Sequence, residues 1–284
     1  MHSMERRDRF LLPRLSSERW QELQSFHLKD GDVFIAGFPK SGTTWMQQIV
    51  KLLRSGGDVR LDRAIPWLEV LDSDFGKRLG FTPDMATSSD IISPRAFKTH
   101  FPYELVPGGL PHTTPAKYIY VMRNPKDVCV SYWHHRNFIG TYAWDEHFSE
   151  FVSIGAKWGG WFYHILGWWK HRDSPNILYI KYKDLKTDPL TAISTIAQFI
   201  GIQNMTDELL QNTLQKSSFS SMKADLSCNN SWLFRSGLLF EKAGSGEFIR
   251  NGEVGSWRDQ FSEEQSKVFD DLFANKMSGS GVML

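Results

Sequence analysis

A glycine-rich turn between an apolar run and a helical pattern is the feature that most constrains the fold. The run DVFIAGF (32–38) predicts a buried strand, and the turn PKSGTTW follows it directly. After the turn, Trp45, Ile49, Leu52 and Leu53 recur at helical spacing. A strand, a glycine-rich turn and a helix N-terminus together favour a phosphate site, because the first amides of a helix are unpaired and carry the positive end of its dipole.

The lysine of this turn stands in an unusual place. A standard P-loop has its lysine directly after the second glycine, where it reaches the β- and γ-phosphates. Here Thr43 follows Gly42, and the lysine is Lys40, two residues before the glycine. Gly42 lets the backbone approach a ligand closely, and Ser41, Thr43 and Thr44 add hydroxyl groups. The turn therefore predicts a phosphate-like ligand other than a nucleoside triphosphate.

The rest of the chain alternates strands with helices. KYIYVMR (117–123) and NILYIKY (176–182) predict two more buried strands, and the aromatic residues between 158 and 169 keep helical spacing. TDPLTAISTIAQFIG (187–201) predicts a helix capped by Asp188 and closed by Gly201. This alternation predicts one α/β domain over 1–284, with a central parallel sheet flanked by helices.

Two segments of the chain differ from this pattern. Residues 1–19 are expected to be an N-terminal segment of the domain. Residues 217–256 are rich in Ser, Asn and Gly and show no clear periodicity. A stretch of this length without periodicity is often functional, so we predict that 217–256 is a lid over the nucleotide and acceptor.

Charge and composition exclude some classes of partner. The formal net charge is +1, so no general attraction to nucleic acid or to an anionic membrane is expected. No apolar run approaches the ~20 residues of a membrane span. Cys129 and Cys228 form no CxxC pair, and the charged start of the chain lacks the apolar core of a signal peptide. We therefore expect a reduced, cytoplasmic protein.

The turn resembles the 5′-phosphosulfate loop of the cytosolic sulfotransferases, Tyr-Pro-Lys-Ser-Gly-Thr-Thr-Trp, with Phe38 in place of the tyrosine. The resemblance covers nearly the whole chain. It implies 3′-phosphoadenosine-5′-phosphosulfate (PAPS) as donor, 3′-phosphoadenosine-5′-phosphate (PAP) as product, and no metal. Lys40 would then lie beside the phosphosulfate bridge, where charge develops on the leaving group.

A second motif, KTHFP (98–102), resembles the family element Lys-Thr-His-Phe/Leu-Pro. The resemblance implies that His100 is the general base that removes the acceptor's proton. Lys98 would stabilise the sulfuryl oxygens, and Thr99 would complete the substrate-binding set of Lys98, Thr99 and His100. A neutral imidazole suits a general base near pH 7.

Two further motifs resemble the family's 3′-phosphate site. VMRNPKDVCVSYW (121–133) contributes Arg123 and Ser131, while Lys126 and Asp127 are interpreted as structural. FIRNGEVGSW (248–257) contributes Arg250 and the backbone of Gly252, but Asn251 replaces the usual Lys and Ser256 the usual Asp. For the adenine, the resemblance implies stacking on Trp45 and Phe219, with further contacts from Phe248 and Tyr182. The full donor-binding set that the resemblance implies is Lys40, Ser41, Gly42, Thr43, Thr44, Trp45, Arg123, Ser131, Tyr182, Ser217, Ser218, Phe219, Met222, Phe248, Ile249, Arg250, Asn251 and Gly252.

We expect the acceptor to be a hydroxyl, or an amine, of a small apolar molecule such as a phenol, alcohol or steroid, which suits xenobiotic or steroid metabolism. Its pocket is expected to be formed by variable loops within 12–20, 66–90, 132–145 and 231–246. Candidate apolar walls are Phe75, Phe81, Trp133, Phe138, Trp144, Trp232 and Phe240. RDQFSEEQSK (258–267) departs from the family's dimer element, so we expect a monomer or a weak homodimer.

Three other functions are compatible with parts of the pattern. A P-loop kinase or NTPase would need Mg²⁺ and a lysine after Gly42. A nucleotide-binding module without catalysis remains open because Asn251 removes a cation from the phosphate site. A Golgi carbohydrate sulfotransferase would carry a membrane anchor.

Replacing Asn251 with lysine is expected to tighten PAP binding, because it restores the cation that the family has at this position. Release of product limits turnover in many enzymes, so kcat is expected to stay level or fall. Calorimetric titration with PAP measures the affinity directly. Unchanged or weaker binding in Asn251→Lys would show that the side chain lies away from the phosphate.

Overall fold

The computed structural model describes residues 4–7, 10–13, 15, 17–58, 65–70, 94–153, 157–225, 228 and 249–284. In chain order its elements are β1 (Met4–Arg7), β2 (Phe10–Pro13), α1 (Ser17–Gln24), β3 (Val33–Ala36), α2 (Thr43–Arg54), β4 (Ala96–Thr99), β5 (Lys117–Met122), α3 (Pro125–Ile139), α4 (Trp144–Val152), α5 (Trp161–Trp169), β6 (Ile177–Lys181), α6 (Tyr182–Thr187), α7 (Pro189–Ile200), α8 (Asp207–Lys216), α9 (Phe219–Ala224) and α10 (Glu263–Met277). Short 3₁₀ turns span Leu68–Val70, Tyr103–Leu105, Pro111–Thr113 and Ser256–Asp259.

A parallel sheet in the order β4-β3-β5-β6 forms the centre of the fold. The apolar runs that predicted strands are β3, β5 and β6, so the predicted parallel sheet flanked by helices is confirmed. The strand β4 was not predicted, because its four residues include a lysine and a threonine and form no apolar run. Within the N-terminal segment 1–19, β1 and β2 pair with each other as a separate antiparallel sheet.

Helices cover both faces of the parallel sheet. Side chains of a strand alternate between faces: Val33 and Ile35 pack in one apolar cluster with residues of α2 and α7. Phe34 and Tyr118 point to the other face, into a cluster with residues of α3, α5 and α10. The result is a three-layer α/β/α arrangement with an apolar core on each side of the sheet.

Buried polar contacts fix the starts of elements. Arg95, directly before β4, donates from Nε to Asp32, directly before β3, at 2.8 Å, and its Nη2 forms a second bond to the same carboxylate. The cap predicted for α7 is present: the Asp188 side chain accepts from the amide of Thr191, and Gly201 closes the helix at φ +85°.

One sequence prediction is wrong in detail. The aromatic helix α5 begins at Trp161, so Trp158 lies outside it, with φ +61° and two positive-φ glycines directly after it. Those glycines interrupt the helical pattern that the aromatic spacing indicated. In 217–256, residues 219–224 form the helix α9, whose first turn Ser218 caps by accepting from the amide of Ser221. A lid over 217–256 stays a prediction, since most of the segment lies outside the described residues.

Over the part of the chain that the structure describes, no helix is both long enough and apolar enough to cross a membrane.

Candidate active site

The glycine-rich loop joins the end of β3 to the start of α2. Gly42 occupies the N-cap of α2 at φ +110°, and no side chain caps its first turn, so the loop presents unpaired helical amides. A Cβ at Gly42 would lie 2.6 Å from the Tyr182 ring, which excludes any larger residue. Lys40 has φ +71°, a conformation that costs a non-glycine residue about 1–3 kcal/mol and is concentrated at functional sites.

His100 is held at three points directly after β4. Its Nδ1 lies 2.6 Å from the carbonyl oxygen of Gly37 and must donate to it, which leaves the lone pair on Nε2. Its amide donates to a carboxylate oxygen of Glu69, and its carbonyl accepts from Nε2 of His164 at 3.1 Å. The Nδ1 of His164 in turn accepts from the hydroxyl of Tyr120 at 2.8 Å. The imidazole of His100 therefore has a fixed tautomer and a fixed backbone.

Two tryptophan rings pack edge-on against this buried histidine. The centroid of the Trp67 ring lies 5.3 Å from that of His100, and the Trp158 ring lies 5.6 Å away. The ammonium of Lys98 lies 4.2 Å from the Trp67 centroid, a cation–π geometry. His100 and Lys98 thus both contact the Trp67 ring at the end of β4.

Arg123 ties the glycine-rich loop to the loop before α10. Its Nη1 donates to the carbonyl of Lys40 at 3.2 Å, and its Nη2 donates to the carbonyl of Glu253 at 3.0 Å. Asp127 holds the second loop from the other side, since its carboxylate accepts from the amides of Gly255 at 2.8 Å and Trp257 at 3.1 Å. These contacts agree with the structural role predicted for Asp127.

The two residues that differ from the family motif, Asn251 and Ser256, lie in this second loop. Ser256 accepts a hydrogen bond from Nη2 of Arg250 at 3.3 Å, and Asn251 accepts one from the amide of Glu253 at 3.3 Å. Both replacements therefore make short-range bonds that order the loop. Lys126 pairs with Asp270 of α10 at 2.7 Å, which agrees with its predicted structural role.

A third group of predicted residues surrounds Tyr182. Its hydroxyl donates to the carbonyl of Gly252 at 2.9 Å, and its ring meets Trp45 edge-on at 5.4 Å. A Cβ at Gly252 would lie 2.7 Å from the Phe219 ring, so Phe219 packs directly on that glycine. The structure thus brings Trp45, Tyr182, Phe219 and Gly252 together, as a nucleotide site requires.

The other predicted donor residues are buried or half-buried, or cap a helix. Thr43 is buried and Thr44 half-buried in the first turn of α2, and Ser41 is buried before it. Ser217 and Met222 are buried, and Ser218 caps α9. Ser131 is half-buried on α3, and Ile249 is half-buried beside Arg250. Phe248 lies outside the described residues.

Most of the predicted acceptor walls cannot be placed. Phe75, Phe81, Trp232, Phe240 and the side chain of Phe138 lie outside the described residues. Trp133 donates to the carbonyl of Tyr142 at 2.9 Å. Trp144 packs on Phe148 and Phe261 and donates to Gln265 at 2.9 Å, so it belongs to the core rather than to an acceptor wall.

Sequence reasoning missed four residues of this site: Trp67, Glu69, His135 and Trp158. His135 could have been found, because it lies four residues after Ser131 and so on the same face of α3. Trp67 and Glu69 lie within 66–90, which was expected to form part of the acceptor pocket, but no local pattern singled out either residue. They reach the site because 65–70 runs beside β4, where the amide of Lys98 donates to the carbonyl of Pro66 at 2.8 Å.

Positive charge accumulates at this edge of the sheet. Burial lowers the pKa of Lys40 to about 7, and the charges of Lys98, Arg123 and Arg250 add to the effect. Burial also lowers the pKa of Lys98 to about 8, which the charge of Glu69 opposes. Burial, with the charge of Lys98 next, lowers the pKa of His100 well below its usual range, so His100 is neutral at pH 7. An anion bound here would relieve the repulsion among these positive side chains.

The side chains present fit an anionic nucleotide. The Nε of Arg123 and the Nε1 of Trp45 are buried, and neither has a hydrogen-bond partner among the described residues. Buried donors without partners are rare in folded proteins, and a bound nucleotide would offer acceptors to both of these. Within the described ranges, no three His, Cys, Asp or Glu side chains gather closely enough to hold a metal ion.

Comparison with known proteins places this chain among sulfotransferases. The model of the sulfotransferase domain family matches residues 30–281. Human sulfotransferase 1C2 is 34% identical, over 96% of this chain and 92% of its own length. The luciferin sulfotransferase of Photinus pyralis is 34% identical, over 92% of this chain and 75% of its own. The crystal structure of mouse sulfotransferase SULT7A1 complexed with PAP is 26% identical, with a TM-score of 0.76, and covers 98% of this chain and 95% of that one.

Replacing Arg123 with alanine is expected to weaken PAP binding by about ten- to hundredfold, because a charge-assisted hydrogen bond is lost. Binding of adenosine 5′-phosphate, which lacks the 3′-phosphate, should change much less. Calorimetric titration with both nucleotides makes the comparison, with the exposed Arg172→Ala as a matched control. An equal loss of affinity for the two nucleotides would show that Arg123 does not contact the 3′-phosphate.

Binding of PAP is expected to take up protons at pH 8. In the free protein Lys40, with a pKa of about 7, is mostly neutral at that pH, and Lys98, with a pKa of about 8, is about half charged. A nearby anion favours the charged forms, so binding raises both pKa values and affinity falls as pH rises from about 7 to about 9. Calorimetry at pH 8 in buffers of different ionisation enthalpy measures the uptake. Proton release, or none, would contradict the assignment of these lysines to the anion site.

Proposed function

This chain belongs to the sulfotransferase family, and from that premise we propose that His100, Lys40 and Lys98 carry out its transfer of a sulfuryl group from PAPS to a small acceptor. The observation that best supports this proposal is that three neighbouring strands end at one glycine-rich loop. They bring a neutral histidine and a cluster of cations to that loop. PAPS supplies the sulfuryl group when bound, and PAP is the product. The chain's own residues bind, orient and move the proton.

The proposed donor site consists of the loop amides, Arg123 and Arg250. The amides at the start of α2 and the Lys40 ammonium would hold the 5′-phosphosulfate. The unpartnered Nε of Arg123 supports a contact with the 3′-phosphate, for which a guanidinium fork is well suited. Trp45, Phe219 and Tyr182 would enclose the adenine.

His100 is proposed as the general base. Because its Nδ1 donates to Gly37, its Nε2 has the free lone pair that must accept a proton from the acceptor hydroxyl. Its low pKa makes it a weak base in the free protein, but it also guarantees the unprotonated form near pH 7. The imidazolium that forms would be stabilised by the negative charge of the transferring group.

Lys98 and Lys40 are proposed to stabilise charge on either side of the transferred sulfur. Lys98 lies in the strand β4 and would contact the sulfuryl oxygens, while Lys40 would face the leaving phosphate. Charged donors held in place before the reaction cost little reorganisation during it, which is why such groups contribute strongly to catalysis. The three contacts that fix His100 serve the same purpose of positioning.

The acceptor class is proposed to be a small apolar molecule with a hydroxyl, such as a phenol, alcohol or steroid; a small amine is also compatible. Trp67 and Trp158 support this, because their rings flank His100 and leave an apolar surface beside the base. An aromatic acceptor would stack there with its hydroxyl directed to Nε2.

Location and assembly are also proposals. The two free cysteines, Cys129 and Cys228, are both buried, which agrees with a protein of the reducing cytoplasm. In the altered dimer element, Ser262 and Gln265 form a capping box for α10. Two side chains of that element are thus occupied within the chain, which supports a monomer or a weak homodimer.

Transfer of radiolabelled sulfate from PAPS to a panel of phenols, aliphatic alcohols and 3-hydroxysteroids tests this function. We expect turnover on at least one small hydroxyl acceptor, with PAP formed in equal amount. Binding of PAP without turnover on any acceptor would instead indicate a nucleotide-binding module without catalysis. Dependence of turnover on added Mg²⁺ would favour a phosphoryl-transfer enzyme.

Replacing His100 with alanine is expected to lower kcat by about 10²–10⁴-fold, the usual contribution of a general base. The affinity for PAP should stay within a few-fold, because His100 lies at the end of β4 and not in the phosphate loops. The exposed His112→Ala serves as a matched control. Activity of His100→Ala close to the wild type would remove this residue from the mechanism.

A further inference from the structure

Glu69 is a buried carboxylate that the transfer step described above does not use. It lies in the 3₁₀ turn Leu68–Val70, and 1% of its surface is exposed. One oxygen, Oε1, accepts from the Thr99 hydroxyl at 2.9 Å and from the backbone amide of His100. The other oxygen, Oε2, is buried and has no hydrogen-bond partner among the described residues. A carboxylate in such a place is costly, so it calls for a functional explanation.

The first contribution of Glu69 is to the position of the base. The amide of His100 is held by Glu69, its carbonyl by His164 and its Nδ1 by Gly37. Of these three contacts, only the one from Glu69 holds the amide of His100, which joins the histidine to β4. Glu69 also holds Thr99, which precedes the histidine. Without this carboxylate, the backbone amide of His100 would lose the side chain that accepts its hydrogen bond in the described structure.

The second contribution is electrostatic and acts on Lys98. Burial raises the pKa of Glu69 to about 7, while the charge of Lys98 opposes that rise. Reciprocally, the charge of Glu69 opposes the burial that lowers the pKa of Lys98 to about 8. Above about pH 7 the Glu69 carboxylate is therefore mostly charged. This includes the range near pH 8, where Lys98 would lose its proton.

Other charged groups around this pair are mostly positive. Lys40 repels Lys98 from the glycine-rich loop. His135 of α3 is neutral, because burial and the charges of Lys40 and Lys98 lower its pKa well below the usual range. From α1, the guanidinium of Arg19 donates to the carbonyl of Leu68 at 2.9 Å, next to Glu69. Glu69 is the group of opposite sign that acts on Lys98 within the described residues.

We propose that Glu69 is a positioning residue for sulfuryl transfer, which fixes the backbone of His100 and stabilises the ammonium of Lys98 by its charge. The proposal rests on the proposed function, because it assigns Lys98 and His100 their roles in that reaction. Glu69 itself touches neither the acceptor nor the donor in this assignment.

The pH dependence of turnover separates this role from a merely structural one. A structural carboxylate would change stability and the overall rate, but not the pH at which activity is lost. If Glu69 supports the charge of Lys98, its removal lowers the pKa of Lys98, and the alkaline limb of the profile moves to lower pH.

Three variants test the proposal with PAPS and 2-naphthol, from about pH 6 to about pH 9. Glu69→Gln keeps an acceptor oxygen for Thr99 and His100 but removes the charge, so its alkaline limb should shift by about one pH unit to lower pH. Glu69→Ala also removes the anchor, so its kcat should fall further, by about ten- to hundredfold. In both variants the affinity for PAP, measured by calorimetry at pH 7, should remain within a few-fold of the wild type. Glu69→Gln in a Lys98→Arg background should show no shift, because arginine does not titrate in this range.

The outcomes separate the two proposals. If the wild type transfers no sulfate to any acceptor, the proposed function fails, whatever Glu69 does. If the wild type turns over and Glu69→Gln has an unchanged profile, the role of Glu69 is overturned while the function stands. Thermal unfolding of each variant shows whether it folds; where Glu69→Ala does not, Glu69→Gln alone decides the question.

Discussion

The parallel pairing of β3 with both β4 and β5 is the constraint on which the rest of the site depends. Ala36, the last residue of β3, lies opposite Thr99 on one side and Tyr120 on the other. Since parallel strands end at the same edge of a sheet, three loops begin there together. One is the glycine-rich loop, the second starts with His100, and the third starts with Arg123. A change of register in either pair would separate the base from the anion site.

That edge concentrates cations, and the fold tolerates them by two means. The first is hydrogen bonding to backbone carbonyls, as when Arg123 bridges Lys40 and Glu253. The second is the buried carboxylates Glu69 and Asp127, which lie beneath the site and also anchor its loops. Burial lowers the pKa of Lys40 to about 7, and the remaining repulsion from Lys98, Arg123 and Arg250 adds to that shift. A site with this unbalanced charge is prepared to bind a multiply charged anion, because the anion relieves the repulsion.

The base and the cations are linked through the same electrostatics. Burial, and next to it the charge of Lys98, lowers the pKa of His100 and keeps it neutral, while Glu69 supports the charge of Lys98. The position of the imidazole is fixed by neutral and charged partners from three separate elements, so it is ready before any ligand arrives. The unusual φ of Lys40 and of Trp158 occurs at this site too, and it indicates that packing around them imposes a backbone that neither residue would adopt alone.

Local patterns in the sequence determined the strands β3, β5 and β6, the caps of α7 and the glycine-rich loop, because each depends on residues close together in the chain. The motifs around Lys40, His100, Arg123 and Arg250 were readable for the same reason. Only the tertiary structure decided that Glu69 lies under the amide of His100, that Trp67 and Trp158 flank its ring, and that Asp127 holds the loop of Arg250. Those contacts join segments 30 to 130 residues apart, and no local pattern specifies them. They arise from strand order and loop packing, which the chain fixes only when the whole sheet has formed.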